Sequence, residues 1–242
     1  MNKSIFLLLS VLFCLPAAQC LEKLDLTIRY LGLPVVDVVM TDDGRNIDIT
    51  AKATPIASIA ARMNNRYIST YSGSYLTDSY RKIIRQKDYR EDRITHYDRT
   101  NLTARRISYI QSDKNLEYDI TAHSRDFFAA LYYMRLMLNS QAQGELRLDA
   151  NAMIWKAEYE LIGREEISSG LGKQQAIIVK FSFQQISAGE KENSDMLTNN
   201  LVNEDRFLLF WFSDDERKIP LKAKFVMKPF PVIWRLENYT IE

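Results

Sequence analysis

Residues 155–161 read Trp-Lys-Ala-Glu-Tyr-Glu-Leu, and the alternation of apolar and charged side chains along this stretch decides the fold class. A period of two places successive side chains on opposite faces of an extended backbone, so the stretch predicts a β-strand with one buried face. The same alternation recurs at residues 24–30, 177–183 and 221–227. Residues 207–212 are apolar on both faces and predict a central strand that is covered on both sides.

One long segment departs from the strand pattern and predicts a helix. In residues 124–138, SRDFFAALYYMRLML, apolar residues recur at helical spacing from Phe127 to Leu138. Ser124 is a suitable N-cap, and Asp126 favours the first turn because its charge complements the helix dipole. A second, shorter helix is predicted for residues 55–64, PIASIAARMN, in which Ile56, Ile59 and Ala60 form an apolar stripe.

The connections between the predicted elements are short. Residues 41–44, Thr-Asp-Asp-Gly, predict a hairpin turn, and loops are expected at residues 163–172 and 188–203. Many antiparallel strands with few helices place the fold class between all-β and α+β, as a large curved antiparallel sheet or open barrel carrying one or two short helices. We expect one β-rich domain over residues 21–242.

Composition excludes several classes of protein. The 242 residues include 46% hydrophobic and 26% charged residues, which excludes a largely disordered chain. The formal net charge of +1 gives no support for a nucleic-acid partner. With only 8 glycines, a glycine-built phosphate loop is not expected.

The first twenty residues predict a secretory signal peptide. Lys3 precedes an apolar run from Ile5 to Leu15, which is too short to span a bilayer, and small residues follow Pro16. We therefore expect an exported protein, periplasmic or associated with the outer membrane, with no membrane span in the mature chain. Cleavage after Cys20 would remove both cysteines, whereas lipidation of Cys20, the less favoured alternative, would retain it as an anchor.

The common catalytic motifs are absent, so an enzyme is not favoured and no metal or cofactor is expected. Only two histidines occur, and the sole candidate for general acid–base chemistry is His96 with Asp92 or Asp98. These residues lie in a predicted strand, residues 89–98, that has no apolar face. The favoured interpretation of this strand is a solvent-exposed edge with charge pairs across it.

A basic stretch offers a possible contact surface. Residues 81–106 hold nine Lys or Arg residues against four acidic ones, with tyrosines between them. Arg90, Arg93, Arg105 and Arg106 would bind an anionic envelope component if exposed. An ordinary solvated face is the favoured alternative, and no protein partner is identified.

Three segments in order resemble the bacterial "domain of unknown function 3108" family. Residues 126–135, DFFAALYYMR, are similar to its Asp-x-x-Ser-x-x-Tyr-x-x-Arg segment, with Ala129 where the family often has Ser. Residues 211–220, WFSDDERKIP, are similar to its Trp-containing strand that leads into Asp, Arg and Pro, and residues 28–35 fit its opening strand. The family positions carried over are Asp126, Tyr132, Arg135, Trp211, Asp214 and Arg217.

This resemblance implies an exported, β-rich envelope protein and no particular reaction. At the family positions, we expect Asp126 to cap the helix. We also expect Arg135 to pair with Asp215 and so fasten the helix to the sheet.

The leading functional hypothesis is a binding protein whose curved sheet wraps an apolar or amphipathic ligand, such as a lipid. The predicted ligand-binding residues are Phe181, Phe183, Trp211, Phe225, Met227 and Trp234. A packed core is an equally weighted interpretation of the same residues. The alternatives are an envelope assembly or scaffolding protein acting through the basic stretch, and a hydrolase of envelope glycans or lipids.

Overall fold

The computed structural model describes residues 20–87, 89–188, 192, 194–195, 197–198, 201–226 and 230–242, which form one 15-stranded sheet with two α-helices. The strands are β1 (Glu22–Tyr30), β2 (Leu33–Asp42), β3 (Asn46–Ala53), β4 (Asn64–Ser72), β5 (Leu76–Arg85), β6 (Arg90–Asp98), β7 (Thr103–Ser108), β8 (Leu116–Asp119), β9 (Ser124–Arg125), β10 (Gln143–Asp149), β11 (Ile154–Ser169), β12 (Gly172–Gln185), β13 (Leu208–Ser213), β14 (Pro220–Phe225) and β15 (Val232–Ile241). The helices are α1 (Pro55–Ser58) and α2 (Phe127–Met137), and a 3₁₀ turn covers Ser112–Lys114. The predicted fold class is confirmed.

The strand order is β8-β7-β6-β5-β4-β3-β2-β1-β15-β14-β13-β12-β11-β10-β9. Every strand pair is antiparallel except β9 with β10. Almost all connections along the chain join strands that are neighbours in the sheet. The exception is the connection from β8 to β9, which joins the two edge strands. At the centre of the sheet, β1 pairs with β15 along its whole length. Next to this pair, Leu21 and Glu242 exchange two backbone hydrogen bonds of 2.9 and 3.0 Å.

The sheet curls until its two edge strands approach each other, but backbone hydrogen bonds do not close it. Side chains bridge the gap instead. Tyr97 of β6 donates a hydrogen bond of 2.8 Å to Asp149 of β10, and Tyr118 of β8 donates to the same carboxylate. Arg99 adds hydrogen bonds to the backbone carbonyls of Thr77, Thr121 and Ser124.

Helix α2 fills the concave side of the sheet. Seven of its residues are buried, including Phe128, Leu131 and Met134, as expected of a helix that is surrounded by protein. Its N-cap is Asp126, which accepts hydrogen bonds from the N–H groups of Phe128 and Ala129, whereas Ser124 lies in β9. The expected cap by Asp126 is therefore confirmed, and the cap by Ser124 is wrong.

The predicted helix at residues 55–64 is only four residues long. It ends early because the carbonyl of Met63 accepts a hydrogen bond from Ala53, and this contact leads into the β3–β4 ladder. The predicted loop at 163–172 is instead the end of the β11–β12 hairpin. This hairpin bends over the outer face of the sheet, where Gly170 donates to the carbonyl of Leu236 over 2.9 Å.

Candidate functional site

A large apolar cavity opens at the end of the sheet where β1 ends and β2, β4, β6 and β15 begin. Its volume is about 740 Å³, within the range of about 300–1,000 Å³ that is usual for ligand pockets. Ile28, Val35, Val36 and Val232 form the sheet wall, and Leu197 contributes from the segment after β12. This cavity is therefore the best-formed candidate binding site among the described residues.

Helix α1 and the residues after it form the other wall. Thr54 accepts a hydrogen bond from Ala57 over 3.3 Å and donates one to the carbonyl of Pro34 over 3.0 Å, which fixes α1 over the start of β2. The cavity side of this segment carries the small residues Ala57, Ala60 and Ala61. Because these side chains end at Cβ, the space between α1 and the sheet stays open.

Exposed apolar side chains lie on the elements that form this end of the molecule. Ile56 and Ile59 of α1 and its C-cap are 73% and 89% exposed, and Leu31 and Leu33 of the β1–β2 turn are 58% and 62% exposed. Phe230, 47% exposed, packs edge-on against Tyr30 at the same end. We call Leu31, Leu33, Ile56, Ile59 and Phe230 the apolar tip.

The charges that line the cavity are all positive in the described part of the chain. Arg62 and Lys87 contribute to its lining, and no described lining residue is acidic. Both side chains belong to exposed residues. A ligand with an apolar body and an anionic end would find both kinds of partner here.

Beside the cavity lies a largely buried group of charges, which we call the ionic cluster: Lys82, Glu91, Arg93, Arg106, Asp195 and the partly exposed Glu192. Lys82 donates to the side chains of Asn151, Thr198 and Asp195 over 2.9, 2.8 and 3.4 Å. Burial lowers the pKa of Lys82, although the charge of Asp195 opposes that shift. Burial opposes ionisation of Asp195, but Lys82 and the hydroxyls of Thr198 and Tyr67 lower its pKa to about 2.

The other half of the ionic cluster joins strands β6 and β7 to the segment after β12. Arg106 makes two hydrogen bonds of 2.7 Å with Glu192, and Arg93 pairs with Glu91 and, at 3.5 Å, with Glu192. Asp195 and Glu192 thus hold the segment that presents Leu197 to the cavity. Each buried cation of the cluster has a carboxylate partner, as burial requires.

This arrangement corrects the prediction for the basic stretch. Arg93 and Arg106 are only 4% and 3% exposed, so their assignment to a contact surface is wrong. The expectation that the strand lies outside the core is also wrong, because alternate residues of β6, from Glu91 to Tyr97, are buried. Tyrosines and carboxylates from other elements satisfy these polar groups inside the sheet. Arg90 and Arg105 do lie on the exposed side.

His96 is also on the exposed side, and no described hydrogen bond joins it to either predicted partner. Asp92 makes two hydrogen bonds of 3.0 Å with Arg81. Asp98 accepts from the N–H groups of Thr100 and Asn101 in the next turn, and these bonds lower its pKa. The structure therefore does not assemble the predicted acid–base site.

The predicted ligand-binding residues lie in closely packed regions. Phe181 and Phe183 border a void of only about 20 Å³ against α2, and the rings of Phe225 and Trp234 lie 5.0 Å apart. Trp211 faces the other side of the sheet, where its indole donates to Glu165 under the β11–β12 hairpin. Met227 lies outside the described residues. The large cavity is instead formed by other residues.

The family positions in α2 make contacts that fasten the helix. Asp126 accepts from Ser69 and Thr77 over 2.5 and 2.7 Å in addition to its capping bonds, and burial raises its pKa. Arg135 makes two hydrogen bonds of 2.7 and 2.6 Å with Glu22 and lies over the ring of Tyr132. The expected pair of Arg135 with Asp215 is wrong.

Of the remaining family positions, Trp211 lies in β13, and Asp214 and Arg217 lie in the turn that follows it. Arg135 donates to the carbonyls of Arg217 and Lys218 there, so α2 does reach this turn, but through backbone atoms. Asp214 pairs with Arg164 of the hairpin over 3.0 Å, and the Arg217 side chain pairs with Asp215. These contacts hold the hairpin and the helix to opposite faces of the sheet.

Two further classes of feature are absent from the described residues. They include no group of three or more His, Cys, Asp or Glu side chains arranged to hold a metal ion. None of their helices combines the length and the apolar character needed to cross a membrane. The predicted signal peptide lies outside the described residues, apart from the exposed Cys20.

Sequence reasoning missed the residues of the cavity, although some carried a detectable pattern. The sequence pattern identifies the apolar stripe of Ile56, Ile59 and Ala60, and the structure exposes all three residues. Leu31-Gly32 between two strand patterns is a turn in which an aliphatic residue replaces the usual Asn or Asp. The signal available in the sequence was therefore an apolar side chain in each of two connecting segments, the one with Leu31 and the one with Ile56 and Ile59.

Comparison with known proteins supports the family resemblance. The family described as "Protein of unknown function (DUF3108)" matches residues 26–229. No curated protein matches the chain.

Solved structures show likeness in fold. A β-barrel-like protein of the domain of unknown function DUF1849 from Brucella abortus aligns with a TM-score of 0.58 at 10% identity, over 92% of this chain and 97% of that one. A structure from Parabacteroides distasonis has a TM-score of 0.35 at 10% identity, over 90% and 94% of the two chains. A DUF1329 family protein from Desulfovibrio piger has a TM-score of 0.25 at 9% identity, over 93% and 86%. The first shares the strongly curved sheet, and at this identity the likeness concerns the fold alone.

Proposed function

This chain belongs to the DUF3108 family of proteins of unknown function, and from that premise we propose that it is an exported envelope protein whose end cavity binds a lipid-like amphipathic ligand. Residues 1–20 support export, since a short apolar run follows Lys3 and small residues follow Pro16. An envelope protein is in direct reach of membrane lipids and of the molecules released from them.

The observation that carries this proposal is the cavity itself. Its volume of about 740 Å³ is enclosed mainly by aliphatic side chains and alanines. By contrast, the voids deeper inside the sheet, around Phe181 and around Trp234, measure only about 20 and 10 Å³. Burial of apolar ligand surface is favourable by about 25 cal/mol per Å². A hydrocarbon chain is therefore the part of a ligand that this site is suited to hold.

The polar groups at the cavity select the other end of the ligand. Arg62 and Lys87 are its charged lining residues in the described part of the chain, and Gln86 adds a neutral polar group. An anionic headgroup placed beside these cations would stay near water while the chain enters the cavity. We therefore propose an amphiphile with one carboxylate or phosphate end and a flexible apolar body.

Filling the cavity should abolish binding. In the Ala57→Trp variant, the added indole would project from α1 into the space that the ligand needs. The delipidated wild type should retain a fluorescent fatty acid through gel filtration and show a stoichiometric mass increase in native mass spectrometry. The variant should lose about tenfold or more of this affinity, since the buried side chain removes most of the apolar contact.

Ala142→Trp is the matched control, because Ala142 is exposed and does not line the cavity. This variant should bind the probe as the wild type does. Equal affinity of wild type and Ala57→Trp, with the folded state verified by circular dichroism, would contradict the proposal. Probe binding no stronger than that of a well-packed control protein would also contradict it.

A further inference from the structure

We infer that the apolar tip is a membrane-docking surface, which inserts into an anionic lipid bilayer while nearby cations contact the headgroups. This inference is separate from the proposed function, since docking requires the outside of the tip and not an occupied cavity. The proposed partner is the surface of a lipid bilayer, and three features of the structure favour it.

The first observation is that the most exposed leucine and isoleucine side chains lie at one end of the molecule. Ile59, Ile56, Leu33 and Leu31 are the four most exposed leucine or isoleucine side chains of the described residues, at 89%, 73%, 62% and 58%. They come from two separate segments of the chain, the β1–β2 turn and α1, and Phe230 adds a third. Single exposed apolar residues are ordinary, but several of them at one end of a molecule mark a candidate interaction surface.

The second observation is the conformation of Leu31. Its φ of 54° and that of Gly32, 79°, make the β1–β2 connection a tight turn in the left-handed region. Gly is preferred at such a position because it has no Cβ to approach the following carbonyl oxygen, and Asn or Asp because its short polar side chain forms local hydrogen bonds. Here a leucine occupies it and gains little packing, since most of its side chain faces water. The exposed leucine side chain is therefore available to a partner outside the protein.

The third observation is the charge around the tip. A cleft of about 710 Å³ lies on the outer face of the sheet, between the end of the β11–β12 hairpin and the apolar tip. Arg29, Lys222 and Arg235 line it together with Leu31 and Phe230, and no described lining residue is acidic. We call this the outer cleft. With Arg62 and Lys87 at the cavity, cations flank the tip on both sides.

The cations of the outer cleft are only partly satisfied within the described chain. Arg29 lies 3.9 Å from Glu237, at the limit of an ion pair, and its Nε has no hydrogen-bond partner among the described residues. Arg235 donates to the carbonyl of Ser168 over 3.0 Å. Lys222 lies over the ring of Trp211, and burial lowers its pKa despite the opposing effect of Glu165. Anionic headgroups would supply acceptors for the accessible atoms of these side chains, and the Arg29 side chain is 36% exposed.

An exposed apolar group with flanking Lys and Arg is the arrangement that proteins use at membrane surfaces. The apolar side chains enter the boundary between headgroups and acyl chains, while the cations remain at the depth of the phosphates. Each cation near an anionic surface strengthens binding about fivefold. The same arrangement would bring the cavity mouth to the headgroup layer.

Vesicle co-sedimentation of the purified mature protein, with residues 1–20 removed, tests the inference. Vesicles of equal parts phosphatidylglycerol and phosphatidylcholine should bind the protein, and vesicles of phosphatidylcholine alone should bind it much more weakly. Added salt should weaken the first interaction, because it screens the contribution of the cations. The double variant Ile56→Ser, Ile59→Ser should reduce partitioning by about tenfold or more.

A pair of turn variants separates docking from folding. Leu31→Asn removes an apolar side chain at a position whose backbone suits Asn, so we expect weaker vesicle binding and an unfolding midpoint no lower than that of the wild type. Leu102→Asn is the matched control. Leu102 is 42% exposed with φ of 54°, but it lies in the β6–β7 turn at the opposite end of the sheet. This variant should bind vesicles as the wild type does.

The inference is overturned if the Leu31 and Leu102 variants bind vesicles equally well, or if the protein does not distinguish anionic from zwitterionic vesicles. Docking without uptake of a fatty-acid probe would support this inference and contradict the proposed function. Uptake without docking would do the reverse, so the two failures are distinguishable.

Discussion

At the scale of single residues, Asp195 links the interior of the sheet to the wall of the cavity. It accepts hydrogen bonds from Tyr67 and Thr198 over 2.6 and 2.5 Å and lies 3.4 Å from the Lys82 ammonium. Leu197, which lines the cavity, is only two residues further on, and its N–H donates to the same carboxylate. The ion pair between Lys82 of β5 and Asp195 thus fixes the position of Leu197, which forms one wall of the cavity.

Asp195→Asn should destabilise the protein at neutral pH, because it leaves the buried Lys82 without its counter-charge. A loss of about 3 kcal/mol or more in the free energy of unfolding is expected. The pKa of Asp195 in the folded state, about 2, lies below the ordinary aspartate value of 3.8. The charge of Asp195 therefore stabilises the fold above pH 3.8, and this contribution is lost as the pH falls through about 2. Urea unfolding of wild type and variant across this range should show their difference shrinking, and a constant difference would contradict the assignment.

Residue-level prediction from the sequence succeeded where a contact is local. Asp126 caps the helix that begins one residue later, and the pattern of α2 was sufficient to predict this. The partner of Arg135 was assigned wrongly because Glu22 lies 113 residues away. Nothing in the spacing of the two residues indicates that β1 passes beneath the end of α2.

At the scale of secondary-structure elements, the alternating strands were predictable and the bent hairpin was not. Residues 155–161 and 177–183 do lie in two adjacent strands. The predicted loop at 163–172 holds polar residues because the hairpin crosses the outer face, where one of its sides meets water. The apolar cavity was not predictable either, since its wall combines α1, β1, β2, β15 and Leu197, which are far apart in sequence.

Gly170→Ala should lift the end of the β11–β12 hairpin from the sheet. A Cβ at Gly170 would lie 1.8 Å from the carbonyl oxygen of Glu237, a backbone atom of β15. We expect a loss of about 1–3 kcal/mol in stability and a change in the fluorescence of Trp211, which the hairpin covers.

Gly163→Ala is the control within the same hairpin. Its added Cβ would meet only the Cδ1 of Ile178, at an ordinary 3.7 Å. The steric explanation fails if both substitutions have equal effects on stability and fluorescence.

At the scale of the whole molecule, one curved sheet encloses two different interiors. Around α2 the concave face is apolar, with Phe128, Met134 and Phe210 fully buried or nearly so. Over β5–β8 it is polar, with the ionic cluster and the tyrosines that contact Asp149. Alternation alone predicted strands on both sides but could not show that charges would face inward, because the partners of those charges come from other parts of the chain.

The pairing of β1 with β15 has a consequence for the folding pathway. These strands are nearly the whole chain apart in sequence, so the central pair of the sheet carries a high loop-closure entropy. A circular permutant that joins Glu242 to Leu21 through a short turn-forming linker and opens the chain between Ala122 and His123 would make this pair a local hairpin. Lower contact order predicts faster refolding at similar stability, measurable by stopped-flow fluorescence. An unchanged refolding rate would mean that β1 and β15 meet only after the rate-limiting step. In the natural connectivity, β1 cannot pair along this edge until β15 has been synthesised, and such a delay would suit the export proposed above, which requires an unfolded chain.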